Sequence, residues 1–527
     1  MHHHLTPFFA PRTPSFSGKG TMQALPAEIV LQIMQDMHRE DLRECLRVSC
    51  LWHNLAVGLL FRTVHLYFGC WGDQYIRGGA QEFSAEQVVR LTSDNWEVLD
   101  HISSNPTFAS AVKQIVVHAY DDSLCIYEKA CLSKALKALP YLLSFDWHST
   151  RRAASADSEP NIKLLRALSQ SCPQLRHLGL PALLYSGDIV DSFGHLWSIS
   201  ITPLCDGPFL DPDTSEVVVG LDRIPFVDDG EAFRNKTTQT LRRLQLVDCL
   251  LGATPIHIFI QLTELNLVRP GDLGGLNLIL RHAACLEALG LHDVSDPEVY
   301  SVLSSNADAL PFLKSFMLSS GDGLSPTHAK NLHKFLLGRS CMRRLCINVE
   351  MCYTELSIVV LSINSMKELE ALGLSISGGG FSQTSSVAPE DSDIWIKYIP
   401  QSLQAIMLSV SGCEDELAVI FQGFSKLPSL TFVYLPDSDL YGGYAGGLPP
   451  AQHIVDELPR LTCVGSSRDI CDVRRTASGV ELLHWTQMKI DTRGQDDFSN
   501  VHGAWLLRHN LWLDLRSPVE AFCYGGF

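Results

Sequence analysis

A six-residue block with apolar residues at its first, fourth and sixth places recurs along most of this chain. The copy Leu241-Arg-Arg-Leu244-Gln-Leu246 is typical. Copies begin at Val112, Leu142, Leu175, Leu241, Leu262, Leu286, Leu313, Met342, Leu369, Leu403 and Leu430, and a partial copy begins at Leu461. From Leu241 to Leu430 successive copies start 21 to 34 residues apart. A repeat of this length is typical of a solenoid, in which each unit packs only against its neighbours.

The block predicts a short strand, because apolar residues at alternate positions give an extended segment one buried face. Helical patterns precede three of the blocks, at 161–169, 329–337 and 416–424. Proline, which ends a helix and favours extended backbone, lies two residues before five of the blocks: Pro140, Pro173, Pro311, Pro428 and Pro459. The unit is therefore a helix, a turn and a strand, and stacked units place parallel strands on a concave side and helices on a convex side.

A doubly wound sheet with a nucleotide site is the alternative, but that fold requires no fixed repeat of this kind. We predict an irregular solenoid over residues 111–465, although Phe193–Ser198 fits the block poorly. Polar, acidic or Gly- and Ser-rich composition predicts surface insertions near 149–160, 206–236 and 377–393.

The two ends of the chain lack the repeat. Residues 1–20 are rich in Pro, Ser and Gly, which predicts a disordered tail. Residues 69–110 are assigned to a linker or N-terminal cap. Residues 466–527 contain several tryptophans and predict a C-terminal cap over the last repeat, which a solenoid needs for solubility.

Residues 25–62 have a different pattern, with two short amphipathic helices and a third apolar segment. Pro26 suits a first helical turn, and Ile29 and Ile33 belong to an apolar stripe with a period of four. Asp41 is predicted as the N-cap of the second helix. Because so short a segment cannot bury a core alone, its apolar faces meet either the remainder of the chain, as an N-terminal cap, or a partner protein.

The order of residues in this segment resembles the F-box. The matching positions are Leu25-Pro26, Glu28-Ile29, Asp41-Leu42, Val48-Ser49 and Trp52. Met37 departs from the family pattern, which usually has leucine there. Together with the leucine-rich array, the whole chain resembles F-box/leucine-rich-repeat proteins of the kind found in large fungal families. The resemblance implies an α/β fold with an F-box-like helical domain over 21–68, followed by a leucine-rich-repeat horseshoe.

The resemblance also implies a role. The chain would be a non-catalytic substrate receptor of a Skp–cullin–F-box ubiquitin ligase, in the cytoplasm or nucleus. Its partners would be a Skp-type adaptor, through it a cullin, and a protein target on the repeats. The residues expected at the adaptor contact are Leu25, Pro26, Ile29, Ile33, Leu42, Val48, Trp52 and Leu55. Trp52 alternatively staples the helices together, and a leucine-rich scaffold whose F-box acts outside a ligase is the alternative function.

The third and fifth places of each block are expected to point to the concave face. This gives a set of candidate target-binding residues: Arg243, Gln245, Glu264, Asn266, Met317, Arg344, Phe432 and Tyr434. Arginine and aromatic residues are good interface anchors. The alternative is that some of these side chains are merely solvated.

The sequence shows no recognisable catalytic, cofactor or metal motif. It contains no H-E-x-x-H and no G-x-S-x-G, and its sixteen cysteines include no C-x-x-C. An enzyme with an unrecognised site is the third hypothesis. The net charge of −17 without a basic, aromatic-rich stripe predicts no nucleic-acid partner. The longest apolar run is far short of the about 20 residues that a membrane helix needs, so we expect no membrane contact.

Overall fold

The computed structural model describes residues 25–35, 37, 39–68, 85–119, 126–149, 159–181, 192–202, 209–210, 217–218, 240–247, 256–270, 273, 275–377, 396–411, 417–436, 448–467, 469–485 and 500–508. The predicted tail at 1–20 and most of the insertions at 206–236 and 377–393 lie outside these residues. The chain divides into two units, Met1–Leu60 and Phe61–Phe527.

Within its described residues, the first unit contains three helices: α1 (Ala27–Gln35), α2 (Arg39–Cys45) and α3 (Cys50–Leu60). Helix α3 contacts both α1 and α2. Helix α1 begins directly after Pro26, whose carbonyl accepts hydrogen bonds from the amides of Ile29 and Val30. Because α2 begins at Arg39, Asp41 lies inside this helix, and the prediction that it is an N-cap is wrong.

The second unit contains a sheet of sixteen strands. Its strands, in spatial order, are β1 (Thr63–Phe68), β2 (Gln114–Ala119), β3 (Ser144–Ser149), β4 (His177–Pro181), β5 (Ser198–Thr202), β8 (Arg243–Val247), β9 (Glu264–Val268), β10 (Ala288–His292), β11 (Ser315–Ser319), β12 (Arg344–Met351), β13 (Ala371–Ser377), β14 (Ala405–Ser411), β15 (Phe432–Leu435), β16 (Cys463–Ser466), β17 (Asp469–Thr476) and β18 (Gly479–His484). The strands from β1 to β16 are parallel, and β17 and β18 are antiparallel. A separate two-stranded pair, β6 (Phe209–Leu210) and β7 (Val217–Val218), lies in the predicted 206–236 insertion.

Helices connect the parallel strands. They are α4 (Ala85–Ser104), α5 (Pro106–Ala111), α6 (Ile126–Leu136), α7 (Glu159–Ser171), a 3-10 helix (Ile256–Gln261), α8 (Leu276–His282), α9 (Glu298–Ser305), α10 (Pro326–Leu336), α11 (Tyr353–Ile363), α12 (Leu417–Phe424) and α13 (Ala451–Glu457), and α14 (Val501–Arg508) follows the last strand. Helices of neighbouring repeats contact one another, as α9 and α11 both contact α10. The predicted solenoid of helix, turn and strand is therefore confirmed.

The register of the sheet follows the block. Arg243, Glu264 and Ala288, each at the third place of its block, are paired across β8, β9 and β10. The apolar first, fourth and sixth places are buried, as Leu241, Leu244 and Leu246 are in the first of these repeats. Throughout the sheet, therefore, the first, fourth and sixth places of the block face the core, and the third and fifth places face the opposite, concave side.

The structure corrects the predicted array in two places. The strand β5 follows a block that begins at Leu196 and continues with Ile199 and Ile201, so the poor fit of Phe193–Ser198 was an error of register. The strand β1 also belongs to the sheet, pairing with β2. Most of the predicted linker at 69–110 that the structure describes is the helix α4.

Beyond β16 the chain departs from the expected simple cap. The antiparallel strands β17 and β18 extend the end of the sheet. The C-terminal helix α14 instead contacts β13 and β14, two strands in the interior of the sheet. This position matters for the candidate target surface, because it takes part of the concave face away from solvent.

Candidate protein-interaction surfaces

Helix α1 has one buried and one exposed apolar side. Val30 and Met34 are buried, while Ile29 and Ile33 are exposed, because residues at i and i+4 share one face of a helix. The exposed stripe continues to Leu25 and Pro26 at the start of the helix. The exposed fractions are 53% for Leu25, 43% for Ile29 and 46% for Ile33. So large an apolar exposure in a small helical unit is typical of an interaction site.

The other predicted adaptor-binding residues have varied positions. Val48 is 63% exposed, in the turn between α2 and α3. Trp52 and Leu55 are half-buried on α3. Leu42 is buried, so its side chain stabilises the position of α2 and is not exposed for a partner.

The sequence interpretation missed the start of α3. Helix α3 begins after Ser49, whose hydroxyl accepts a hydrogen bond from the amide of Trp52 at 3.3 Å. This is an N-cap, and a serine at this position was the available signal. The ring of His53 lies 2.9 Å from the carbonyl of Leu46 through Nδ1 and ties α3 to the preceding turn. The new helix start exposes Leu51, at 39%, as a further apolar side chain.

Four of the predicted target-binding residues come together on β8 and β9. Arg243 forms an ion pair with Glu264, with Nε and Oε2 3.2 Å apart. Asn266 donates from Nδ2 to Glu264 Oε1 at 3.3 Å, and Gln245 donates to the carbonyl of Ile201 at 3.3 Å. Arg243, Glu264 and Asn266 thus form a connected polar network on the concave face, and Gln245 lies opposite Asn266 on the neighbouring strand.

Aromatic and histidine side chains extend this network toward the N-terminal repeats. The guanidinium of Arg243 lies 5.0 Å from the centre of the Trp197 ring, and that ring makes an edge contact with His177 at 5.5 Å. Burial, and next the charge of Arg243, lower the pKa of His177. Asp146 accepts a hydrogen bond from Ser144 at 2.9 Å. His177 and Asp146 occupy a third and a fifth place of their blocks, the same places from which the candidate target-binding residues were taken.

Met317, Phe432 and Tyr434 do not belong to this surface. All three are buried in a cluster with side chains of α14, so their proposal as target-binding residues is corrected. The sequence placed them correctly on the concave face. It gave no direct sign that a helix about seventy residues further along the chain would cover that face.

The contact between α14 and the sheet is apolar and close. Trp505, Leu506 and Leu507 pack against small residues of the concave face, including Ala371 and Ala405. A Cβ added to Gly373 would overlap Cys346 Sγ on the neighbouring strand and would lie 3.3 Å from Leu506 Cδ2, so glycine there accommodates both the adjacent side chain and the helix. The remaining predicted target residue, Arg344, is half-buried, and its guanidinium is 6.0 Å from the centre of the Trp505 ring.

The described residues show few features of a catalytic or metal-binding site. Within them, no group of three His, Cys, Asp or Glu side chains is arranged to hold a metal ion. Across the same ranges, no helix combines the length and the hydropathy that crossing a bilayer requires. Burial raises the pKa of Cys346 and of Cys172 to about 12, which keeps both thiols protonated.

The fold thus defines a chain in which a short helical module with exposed apolar residues is followed by a solenoid of leucine-rich units. Residues 22–67 match the F-box-like family model. The N-terminal module is therefore an F-box-like domain, and such domains, like leucine-rich repeats, are generally non-catalytic interaction modules.

Comparison with solved structures finds leucine-rich-repeat proteins among the neighbours. One is TLR13 in its complex with ssRNA13, with 14% identity and a TM-score of 0.29, covering 68% of this chain and 47% of that one. This chain thus spans about half the length of TLR13. Another is the leucine-rich repeat-containing protein LegL7 from Legionella pneumophila, with 14% identity and a TM-score of 0.30, covering 76% of this chain and 97% of that one. Comparison with curated proteins finds no match.

Proposed function

We propose that this chain is a substrate-recognition subunit of a Skp–cullin–F-box ubiquitin ligase. The F-box-like domain docks on a Skp-type adaptor, and the solenoid holds a protein target. The observation that carries the proposal is the exposed apolar stripe Leu25, Ile29 and Ile33 within the segment that matches the F-box-like family model.

The stripe is sufficient for a specific contact. Burying a large aliphatic side chain contributes about 1.5–3 kcal/mol before the entropy of association is subtracted. Leu25, Ile29, Ile33, Val48 and Leu51 are 39–63% exposed, so burying each of them contributes about half of that amount. Leu42 acts indirectly, by holding α2 in place.

The chain performs no bond-making step in this proposal. It raises the local concentration of target lysines near the ubiquitin-charged enzyme, which is a proximity effect. A reducing compartment, the cytoplasm or the nucleus, fits the described cysteines, which are free thiols.

The first test is copurification of the full chain with a co-expressed Skp-type adaptor. Ile29→Asp with Ile33→Asp introduces two carboxylates into the stripe and should abolish copurification. Gln35→Asp is the control, since Gln35 is an exposed polar residue of the same helix that lies away from the face of Ile29 and Ile33. Equal retention of the adaptor by a folded double variant would refute the docking face.

The second test separates a ligase subunit from a scaffold whose F-box acts outside a ligase. The adaptor complex is mixed with a cullin, and cellular partners of the chain are compared with and without proteasome inhibition. A ligase subunit binds the cullin and accumulates ubiquitinated partners under inhibition. Adaptor binding without either result would favour the scaffold.

A further inference from the structure

The second place of each block forms a column along the rim of the concave face. From one repeat to the next, the amide of the second-place residue donates to the carbonyl of the preceding one, at 2.7–2.9 Å. In spatial order the first six members are Arg62, Lys113, Leu143, Arg176, Trp197 and Arg242. Six consecutive strands therefore carry four cations in one line, and no acidic residue occupies the line.

In later repeats, the cations of the same column have acidic partners. There Lys314 pairs with Glu287 of the preceding repeat, with Nζ and Oε2 3.0 Å apart, and Arg343 lies 3.8 Å from Glu368. In contrast, no ion pair of Arg62, Lys113 or Arg176 is formed with another described residue. We call Arg62, Lys113, Arg176 and Arg242 the basic rim.

The side chains of the basic rim differ in their existing contacts. Arg242 already donates from Nη1 to the carbonyl of Leu241 and to Gln261 Oε1, each at 2.9 Å. Arg62 and Arg176 are exposed, and Lys113 and Arg242 are half-buried. The ammonium of Lys113 donates to the carbonyl of Ser110 at 2.8 Å and lies 4.9 Å from the centre of the Tyr141 ring, which fixes its direction. The chain as a whole has a net charge of −17, so a line of four cations without an acidic member departs from its overall charge balance.

We propose that the basic rim binds an extended, acidic segment of a partner protein, which under the proposed function is the ligase target. The spacing of the cations defines the segment. Lys113, Arg176 and Arg242 lie on every second strand, about 9.6 Å apart, because neighbouring strands are about 4.8 Å apart. Three residues of extended chain span about 10 Å, so Asp or Glu at every third position of the partner meets successive cations.

The neighbouring side chains favour a peptide over a nucleic acid. Asp146 and Glu264 lie on the concave face beside the rim and would repel a continuous phosphate chain. A peptide offers backbone N–H donors between its separated carboxylates, and these can meet both acidic groups. The uncharged members of the column, Leu143 and Trp197, face the intervening residues of such a segment.

The test measures binding of labelled peptides to the full chain by fluorescence anisotropy in 50 mM salt. The probe is acetyl-(Glu-Ser-Gly)4, and the comparison peptide has the same composition with its four glutamates contiguous. We expect the spaced peptide to bind about five- to tenfold more tightly and to dissociate in 0.5 M salt. Absence of binding, or equal binding of the two peptides, would overturn the proposal.

Matched variants locate the site. Lys113→Glu with Arg176→Glu should weaken binding at least about tenfold. The control is Lys314→Glu with Arg343→Glu, which makes the same change of charge in the same column and should change binding less than about twofold. Equal losses in both variants, or a twelve-residue RNA that binds through Lys113 and Arg176 more tightly than the peptide, would contradict the proposed partner.

One further variant separates this proposal from the proposed function. Ile29→Asp with Ile33→Asp should bind the spaced peptide like the wild type. If the wild type binds the peptide but no Skp-type adaptor, the ligase role fails and the peptide surface stands. If it binds the adaptor but not the peptide, the acidic-segment proposal fails alone.

Discussion

Asn500 donates from its side-chain Nδ2 to the hydroxyl oxygen of Thr431, at 2.7 Å, across 69 residues of sequence. Its Oδ1 accepts from the amides of His502 and Gly503, at 3.0 and 2.8 Å, and so caps helix α14. One side chain therefore both starts the C-terminal helix and attaches it to the turn before β15.

Replacing Asn500 should loosen α14. Asn500→Ala removes the cap and the bond to Thr431, with an expected loss of about 1–3 kcal/mol in the free energy of unfolding. Hydrogen exchange of residues 501–508 should accelerate first. Asn500→Asp keeps the cap acceptor and loses only the donor, so its free energy of unfolding should lie between those of the alanine variant and the wild type. Unchanged hydrogen exchange of residues 501–508 in the alanine variant would show that the cap is unimportant.

Gly465 should not tolerate a side chain. A Cβ there would overlap the ring of Tyr434, and that ring is held in place by its hydroxyl, which donates to the carbonyl of Ser467 at 3.1 Å. We expect Gly465→Ala to lower the free energy of unfolding by about 1–3 kcal/mol in urea titration. Gly194→Ala, with open space around its Cβ position, is the control and should change stability by no more than about 0.5 kcal/mol.

Arg339 is a buried structural cation. It donates to the carbonyls of Ala307, Ala309 and Leu310, and so fixes a turn in which Leu310 has a φ of 56°. Arg339→Met would leave these buried acceptors without a donor, at a cost of at least about 3 kcal/mol by chemical denaturation. The exposed Arg343→Met should cost less than about 1 kcal/mol, and similar losses for both variants would argue against this role.

His292 should make the solenoid sensitive to acid. Burial lowers the pKa of His292 to about 4. The unfolded imidazole binds a proton near pH 6.5, so its contribution to stability is present above that pH and is lost as the pH falls toward 4, by about 2 kcal/mol at pH 5.

The measurement compares unfolding free energies at pH 7 and pH 5. His292→Gln cannot titrate, so its stability should fall by about 2 kcal/mol less than that of the wild type over this interval. Identical pH profiles for wild type and His292→Gln would show that this histidine is not the acid-sensitive group.

The sequence predicted most of the repeat because the evidence for each repeat is local. The six-residue block and the proline before it are short-range patterns, and they located strands such as β9 and β12 and helices such as α7 and α10. Ile29 and Ile33 were likewise predictable as one helical stripe. Three of the errors were also local: a slip of register before Ile199, Asp41 wrongly predicted as an N-cap, and a missed N-cap at Ser49.

The sequence by itself determined the backbone plan: which residues form each strand, and which places of the block face the core. Only the tertiary structure decided which part of the concave face stays exposed and which part is buried. Arg243 and Glu264 remain at the surface while Phe432 and Tyr434, at equivalent places, are buried, because α14 packs on the later strands. Such long-range burial depends on where a distant helix folds back, and no periodic pattern within the repeats specifies that position.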